Sequence, residues 1–463
     1  MNLEENQQTT RLDFYGGLPG CLLPFVVFLS GVIILALSGA PDERGFWPIL
    51  IFALGLGLLL AKDRKSFSEV VITGMSQRII MIMITAWMLA STIGILMTRT
   101  GFVEALIWIS VQMHLGPVGF LLATLLICCI VSLSTGSSFA TILICSPLLY
   151  PAGGIVGVHL PLLAGAILAG ATFGDFTAPI SDTTIASALS QDAEIGPTVK
   201  SRLKYSMPII VLSAIVYMLL QWTMGVEKVM DHSVTGDPGG LPMLLVPVLI
   251  TFLFLRGKHL LYGLMAGLGF GLVLGLVLGL LPFSELVALD LDNFRATSLI
   301  IDGINRSVGI SFFTILLMGL VETIKASGVL DKLLEFAANR VRSQKSAQRW
   351  ISAIASLAVL FTTHSIVAIL MVKEFVQETG KQAGISGIHR ANLMSMAACV
   401  FPFLLPYFIP VILMANMTQT GNEFDLPSLG PLEVGFYNFV SWGLFVVLLL
   451  IIVFGTLKRP NAA

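Results

Sequence analysis

Eleven residues in the first half of the chain, Gly174-Asp-Phe-Thr-Ala-Pro-Ile-Ser-Asp-Thr-Thr184, combine two carboxylates, four hydroxyls and a proline directly after a long apolar run. Pro179 has no backbone N–H and pushes Ala178 out of the helical region, so a helix entering this stretch breaks there and frees backbone carbonyls. Those carbonyls, the hydroxyls of Thr177, Ser181, Thr183 and Thr184, and the carboxylates of Asp175 and Asp182 are hard oxygen ligands. They suit a small cation such as sodium or lithium, or a carboxylate that trades the cation for a proton. A plainer role competes, because Ser181 or Asp182 can cap the half-helix that follows. Capping accounts for one acid and not for two.

Of the 463 residues, 56% are hydrophobic and only 11% charged, against roughly 25% charged in soluble domains. The chain therefore reads as an all-α polytopic membrane protein. Carboxylates inside a bilayer are costly and mark functional sites by default. Irregular polar backbone survives there only when protein or a water-filled cavity surrounds it. The five cysteines lie in apolar segments without metal-ligand spacing and read as small core residues. Net charge is −1 and no large basic patch is present, so no nucleic-acid partner is expected. Met1 to Gly17 is polar and acidic, unlike a signal peptide. No Gly-x-x-x-x-Gly-Lys-Ser/Thr element occurs. An intramembrane aspartyl protease needs Gly-x-Gly-Asp and a Tyr-Asp partner, whereas position 172 is threonine and no Tyr-Asp occurs. A transporter without a resident cofactor is expected, not an enzyme.

Arg99-Thr-Gly-Phe-Val-Glu-Ala-Leu106 resembles Ala326-Ser-Gly-Val-Leu-Asp-Lys-Leu333 at an offset of 227 residues. In the same register Thr135 falls on Thr362, Ser138 on Ser365 and Pro179 on Pro406. The chain thus reads as a cytoplasmic tail (1–17), a transmembrane repeat (18–222), an extracytoplasmic linker (223–240), a second repeat (241–457) and a cytoplasmic tail (458–463). Basic connections around 62–65, 200–204, 256–258, 340–349 and 458–459 are expected inside by the positive-inside rule. The connections 223–240, 282–296 and 418–434 are poor in Lys and Arg and are expected outside. The copies would then be inverted repeats containing discontinuous or re-entrant helices, with a site near the midplane. Parity requires 137–150 to cross and 180–190 to be a re-entrant half-helix.

Ser132-Leu-Ser-Thr-Gly-Ser-Ser138 forms a second polar break, in which Gly136 permits a turn and Thr135, Ser137 and Ser138 offer hydroxyls. Interhelical hydrogen bonding is their plainer role. In the second copy Thr362-Thr-His-Ser365 takes its place, with His364 at the Ser137 position. Asp175 and Asp182 correspond to Pro402 and Ile409, and Pro402, Pro406 and Pro410 should break that helix without supplying an acid. His364 can titrate near neutral pH or be a buried hydrogen-bonded side chain. Glu322 is a third candidate acid, and it can instead pair with Lys325 one turn away. Asn305 is a further candidate for lining the cavity, and Gly174 and Pro179 are read as the helix-breaking residues.

The spaced acid motif Gly174-Asp-(three residues)-Pro-(one)-Ser-Asp-Thr-Thr184 resembles the signature of the NhaC-type sodium/proton antiporters of the ion-transporter superfamily, and Thr135-Gly-Ser-Ser138 is similar to an upstream element of that family. The resemblance implies exchange of sodium (or lithium) for protons, with relatives that move malate, lactate or other small organic solutes. Position by position, it implies cation and proton binding at Asp175 and Asp182, with Thr177, Ser181 and Thr183 as neighbours. Ala178 stands where the family has serine, and the second copy is apolar through 401–408. Sodium- or proton-coupled transport of a small organic acid or amino acid is the alternative. The expected setting is the cytoplasmic (inner) membrane with both termini cytoplasmic; the bilayer and the small cation or solute are the partners, and a homodimer is considered.

Overall fold

The structure, a computed structural model, describes residues 11–38, 43–224, 236–290 and 295–454. The tail at 458–463 and most of the 223–240 linker lie outside the described residues, as do the first ten positions.

The first half builds α1 (Leu18–Leu37), α2 (Phe46–Leu60), α3 (Arg64–Met75), α4 (Arg78–Arg99), α5 (Phe102–Gln112), α6 (Pro117–Thr135), α7 (Ser138–Val156), α8 (Leu160–Thr177), α9 (Asp182–Leu189) and α10 (Ile195–Met224). The second half builds α11 (Leu245–Leu255), α12 (Leu260–Val277), α13 (Leu299–Ala326), α14 (Val329–Ala338), α15 (Gln344–Thr362), α16 (Ser365–Gln382), α17 (Gly387–Val400), α18 (Ile409–Met417), α19 (Pro431–Phe436) and α20 (Phe439–Phe454). One antiparallel ribbon, β1 (Ala288–Asp290) with β2 (Arg295–Thr297), departs from the helical pattern. Among the described residues eight helical stretches are long and apolar enough to cross a membrane.

Helix ends recur at the offset seen in the sequence. Both α6 and α15 run 19 residues, their first and last positions 227 apart, and α5/α14, α7/α16, α8/α17 and α9/α18 begin at the same offset. Three backbone reversals follow suit: Gly101 and Gly328, Gly136 and Thr363, and Gly157 and Gly384 all have positive φ. A left-handed residue turns a helix end abruptly, so these positions fix where each copy folds back.

The reversal after α6 makes α6 and α7 an antiparallel hairpin, with Phe120 near the start of one beside Gly153 near the end of the other. In the second copy Gln344, which opens α15, donates to the carbonyl of Gly384 just past α16. Both arms of the α6–α7 hairpin, Pro117–Thr135 and Ser138–Val156, are long and apolar enough to cross a membrane. Segment 138–156 returns along α6, because Gly136 and Ser137 leave no length for anything but a tight reversal. Leu160–Leu189 reads as one apolar stretch of 30 residues, interrupted between α8 and α9.

α8 and α17 form the centre. All residues from Leu162 to Thr177, and from His389 to Val400, are buried. The half-helices are exchanged between copies: α9 packs on α16 and α17, while α18 packs on α7 and α8. Each break is therefore closed by the other copy.

Candidate functional site

A cavity of about 70 Å³ lies where the two hairpin tips meet the two breaks. Gly136, Ser137, Ser138, Asp175, Asp182 and Thr183 line it from the first copy. Thr363, His364, Ser365, Pro402 and Pro410 are among those facing it from the second.

Asp175, in the last turn of α8, is only 7% exposed. Its Oδ1 accepts hydrogen bonds from Ser181 Oγ at 2.7 Å and Thr183 Oγ1 at 3.2 Å, and its Oδ2 from Ser138 Oγ at 3.2 Å. The single Thr183 hydroxyl proton is shared between Oδ1 and the nearer Asp175 carbonyl, at 2.9 Å. Ser181 occupies the N-cap position of α9 but makes no side-chain cap bond there. Its hydroxyl is diverted to Asp175, so the capping role weighed from the sequence is not the one it plays. Asp182 is the first residue of α9 and is exposed. A carboxylate at that position is favoured by the helix dipole.

The other candidates separate. Thr177 is buried and returns its hydroxyl to the Phe173 carbonyl within α8, outside the cavity lining. Gly174 is helical and breaks nothing; a Cβ there would run into Ser132 of α6, whose Oγ donates to the Ala171 carbonyl at 2.8 Å. The break falls at 178–181, with Pro179 in the turn. Pro402 lies in a short 3-10 turn facing the cavity, while Pro406 is buried beside it and outside the lining. Thr135 Oγ1 receives the Ser137 N–H at 3.3 Å and braces the hairpin tip, and Thr362 spans the equivalent tip to the His364 carbonyl at 3.2 Å. Thr363 Oγ1 and His364 Nδ1 have no hydrogen-bond partner among the described residues.

Glu322 lies outside the cavity lining. Its Oε2 accepts from Gln77 Nε2 at 2.8 Å and Lys325 Nζ at 2.9 Å, joining the start of α4 to the end of α13. Gln77 is thus a structural partner of Glu322. Asn305 is exposed on α13 and also lies outside the lining.

Arg202 was grouped by sequence with Lys200 and Lys204 as a basic connection. Those lysines are exposed, whereas Arg202 is fully buried in α10. Its Nη1 donates to the Phe176 carbonyl at 3.1 Å and to Thr184 Oγ1 at 2.8 Å, and its Nη2 to Ser187 Oγ at 2.8 Å. Nε reaches Asn392 Oδ1 of α17 at 3.0 Å. The signal was present in the spacing: Thr198, Arg202, Ser206, Ile209, Ser213, Tyr217 and Gln221 repeat at helical intervals and are all buried.

The described residues form a polytopic helical protein with eight stretches long and apolar enough to cross a membrane, and a polar cavity at two helix breaks. Residues 22–222 match the model of the Na+/H+ antiporter family. The malate-2H(+)/Na(+)-lactate antiporter of Bacillus subtilis is 32% identical over 210 residues, 45% of this chain and 42% of that protein. The Na(+)/H(+) antiporter NhaC of the same organism is 26% identical over 285 residues, 57% of this chain and 59% of the relative. The arginine/ornithine antiporter ArcD of Halobacterium salinarum is 23% identical over 359 residues, 72% of this chain and 73% of the relative. The chain thus covers less than two thirds of the two Bacillus subtilis relatives.

Proposed function

We propose that the chain is a secondary active transporter that exchanges external protons for internal sodium or lithium by alternating access. The observation that carries this reading is the buried Asp175 carboxylate, bonded by three hydroxyls and opening onto a cavity built from both copies. A hydroxyl is both donor and acceptor. In the empty site Ser138, Ser181 and Thr183 donate to Asp175; on cation entry they rotate and offer lone pairs to the ion. Asp182 supplies a second oxygen ligand at the cavity wall. Proton and cation compete for the same carboxylate, and that competition couples the two fluxes.

The alternation needs two gates, and the repeats support them. With the basic connections inside, the α6–α7 hairpin enters from outside and the α15–α16 hairpin from inside. The broken stretches 160–189 and 387–417 then cross as inverted equivalents, so each copy contributes one hairpin tip and one broken helix to the midplane. In this reading both termini are cytoplasmic.

Adding sodium or lithium to proteoliposomes with an imposed pH gradient tests the reading. Either cation should dissipate the gradient and restore the fluorescence of a quenched pH dye. No response to either cation would overturn it.

A second reading, cation-coupled exchange of a small organic acid or amino acid, is favoured by Thr363 Oγ1 and His364 Nδ1, two partnerless polar atoms on residues facing the cavity. The relatives named for malate, lactate and arginine point the same way. A response of the same vesicles to such a solute, and not to sodium alone, would select it.

A further inference from the structure

The exchange scheme above leaves Arg202 without a part. Its five N–H groups are all engaged, by the Phe176 and Ala391 carbonyls and by the side chains of Thr184, Ser187 and Asn392. Its guanidinium carbon also lies 5.3 Å from the centre of the Phe176 ring. Every one of these partners is neutral. A fully buried cation held only by neutral groups is unfavourable unless an opposite charge within electrostatic reach offsets it.

The elements packed against α10 are α6, α8, α9, α17 and α20. The titratable groups that act on Arg202 from them are Asp175 on α8 and Cys399 on α17. Asp175, for its part, is bonded only by hydroxyls. Two buried opposite charges therefore sit on the two sides of one helix break, each surrounded by neutral hydrogen-bonding groups. The clamp on the Phe176 carbonyl, Thr184 and Ser187 holds both halves of the break in place, and Asn392 ties that clamp to the second copy.

We propose that Arg202 is the fixed counter-charge of the cation site, a positioning residue that holds the broken helix together and weakens sodium binding enough for the ion to leave. The inference rests on the cation reading given above. Asp175, Asp182 and Arg202 together leave the empty site with one net negative charge, which a single sodium ion or a single proton neutralises. Without the guanidinium a lone monovalent cation would leave the site still anionic, and it would be held more tightly.

The test is sodium binding to the purified full chain in detergent, read as thermal stabilisation during titration with sodium chloride against choline chloride at constant ionic strength. Arg202→Gln removes the charge and should lower the half-saturating sodium concentration about threefold or more, while slowing exchange in proteoliposomes. Arg202→Lys keeps the charge and loses the planar fork, so it should leave half-saturation at the wild-type value. Asn392→Asp places a carboxylate on Nε in the same shape. It should tighten sodium binding as Arg202→Gln does, and it covers the case in which Arg202→Gln does not fold. A purely structural clamp predicts weaker binding in both Arg202 variants, and that result, or an unchanged half-saturation in Arg202→Gln and Asn392→Asp, would overturn the proposal. A wild-type protein that sodium fails to stabilise would instead overturn the cation reading and this inference with it.

Discussion

Gly136 and Thr363 occupy the same place in the two copies and both hold left-handed backbone, with φ of 64° and 52°. One is free of steric cost there and the other is not, since a side chain in this region costs about 1–2 kcal/mol. The shared geometry, kept despite different side chains, identifies the reversal itself as the feature both hairpins require.

Gly136→Ala should accordingly be damaging. A Cβ at this position lies 2.7 Å from Ile180 Cγ1 and 2.8 Å from the Ile180 carbonyl carbon, in the turn of the α8–α9 break. The expected outcome is a loss of about 1–2 kcal/mol from backbone strain alone, plus displacement of the tip from the cavity. Thr363→Gly relieves the strain and removes a buried hydroxyl that has no partner among the described residues. Its melting temperature in detergent should equal or exceed that of the wild type. A stable Gly136→Ala protein with full exchange would show that the tip tolerates other conformations.

Much of this was legible in the sequence. The offset of 227 emerged from a few landmarks that sit at helix ends and turns, and those helix starts and left-handed turns recur at the same offset in the structure. Asp175, Asp182, Ser181 and Thr183 were legible because polar groups in an apolar setting need a reason to be there. Arg202 was not, because the charge count of a connection does not say which helix face each residue takes. Of the two roles weighed for Glu322, the structure shows the pair with Lys325; its other partner, Gln77, lies 245 positions away and no local pattern links them. Gly174 was read as a breaker although its lack of a side chain serves contact with α6.

Glu322 now reads as a structural acid. Its salt bridge with Lys325 is partly exposed, with side-chain exposures of 22% and 16%. Glu322→Gln keeps the shape and can still contact Gln77 and Lys325. It should leave the half-saturating sodium concentration within about twofold of wild type and cost at most about 1 kcal/mol of stability. Loss of exchange with intact stability would return Glu322 to the transport path.

Asp192, between α9 and α10, ties the first copy to α16 through Lys381 Nζ at 3.0 Å and Gln377 Nε2 at 2.5 Å. The hydrogen bond from Lys381, then that from Gln377, lowers its pKa from the ordinary value of 3.8. A depressed carboxylate pKa contributes stability that is present above the unfolded-state value and lost as pH falls through the folded-state value. The group is exposed, so the effect is small. Asp192→Asn tolerates the positive φ of 54° found here. The difference in melting temperature between wild type and Asp192→Asn should be steady near neutral pH and vanish in acid below the carboxylate range. A difference that persists in acid would mean that the tie is not electrostatic.

The hydroxyls on Asp175 carry the sharpest expectation. Each hydroxyl donates to Asp175 in the empty site and turns its lone pairs to the ion when it binds, so its removal weakens binding through the lost ligand oxygen, and each 1.4 kcal/mol of that loss is about tenfold in affinity. Ser181→Ala removes the shortest of the three bonds to the carboxylate, at 2.7 Å, together with an oxygen available to the cation. Half-saturating sodium for dye recovery in proteoliposomes should therefore rise about tenfold. Thr183→Val should behave similarly, and Thr183→Ser, which keeps the hydroxyl, should restore binding. Asp175→Asn retains the shape but gives up the exchangeable charge, and Asp182→Asn gives up the second one, so each should abolish cation-dependent proton movement in a folded protein. Wild-type flux in both asparagine variants would remove these two acids from the transport site. If flux is lost in Asp175→Asn while Ser181→Ala keeps the wild-type sodium dependence, the carboxylate is the site but the serine does not ligate the ion.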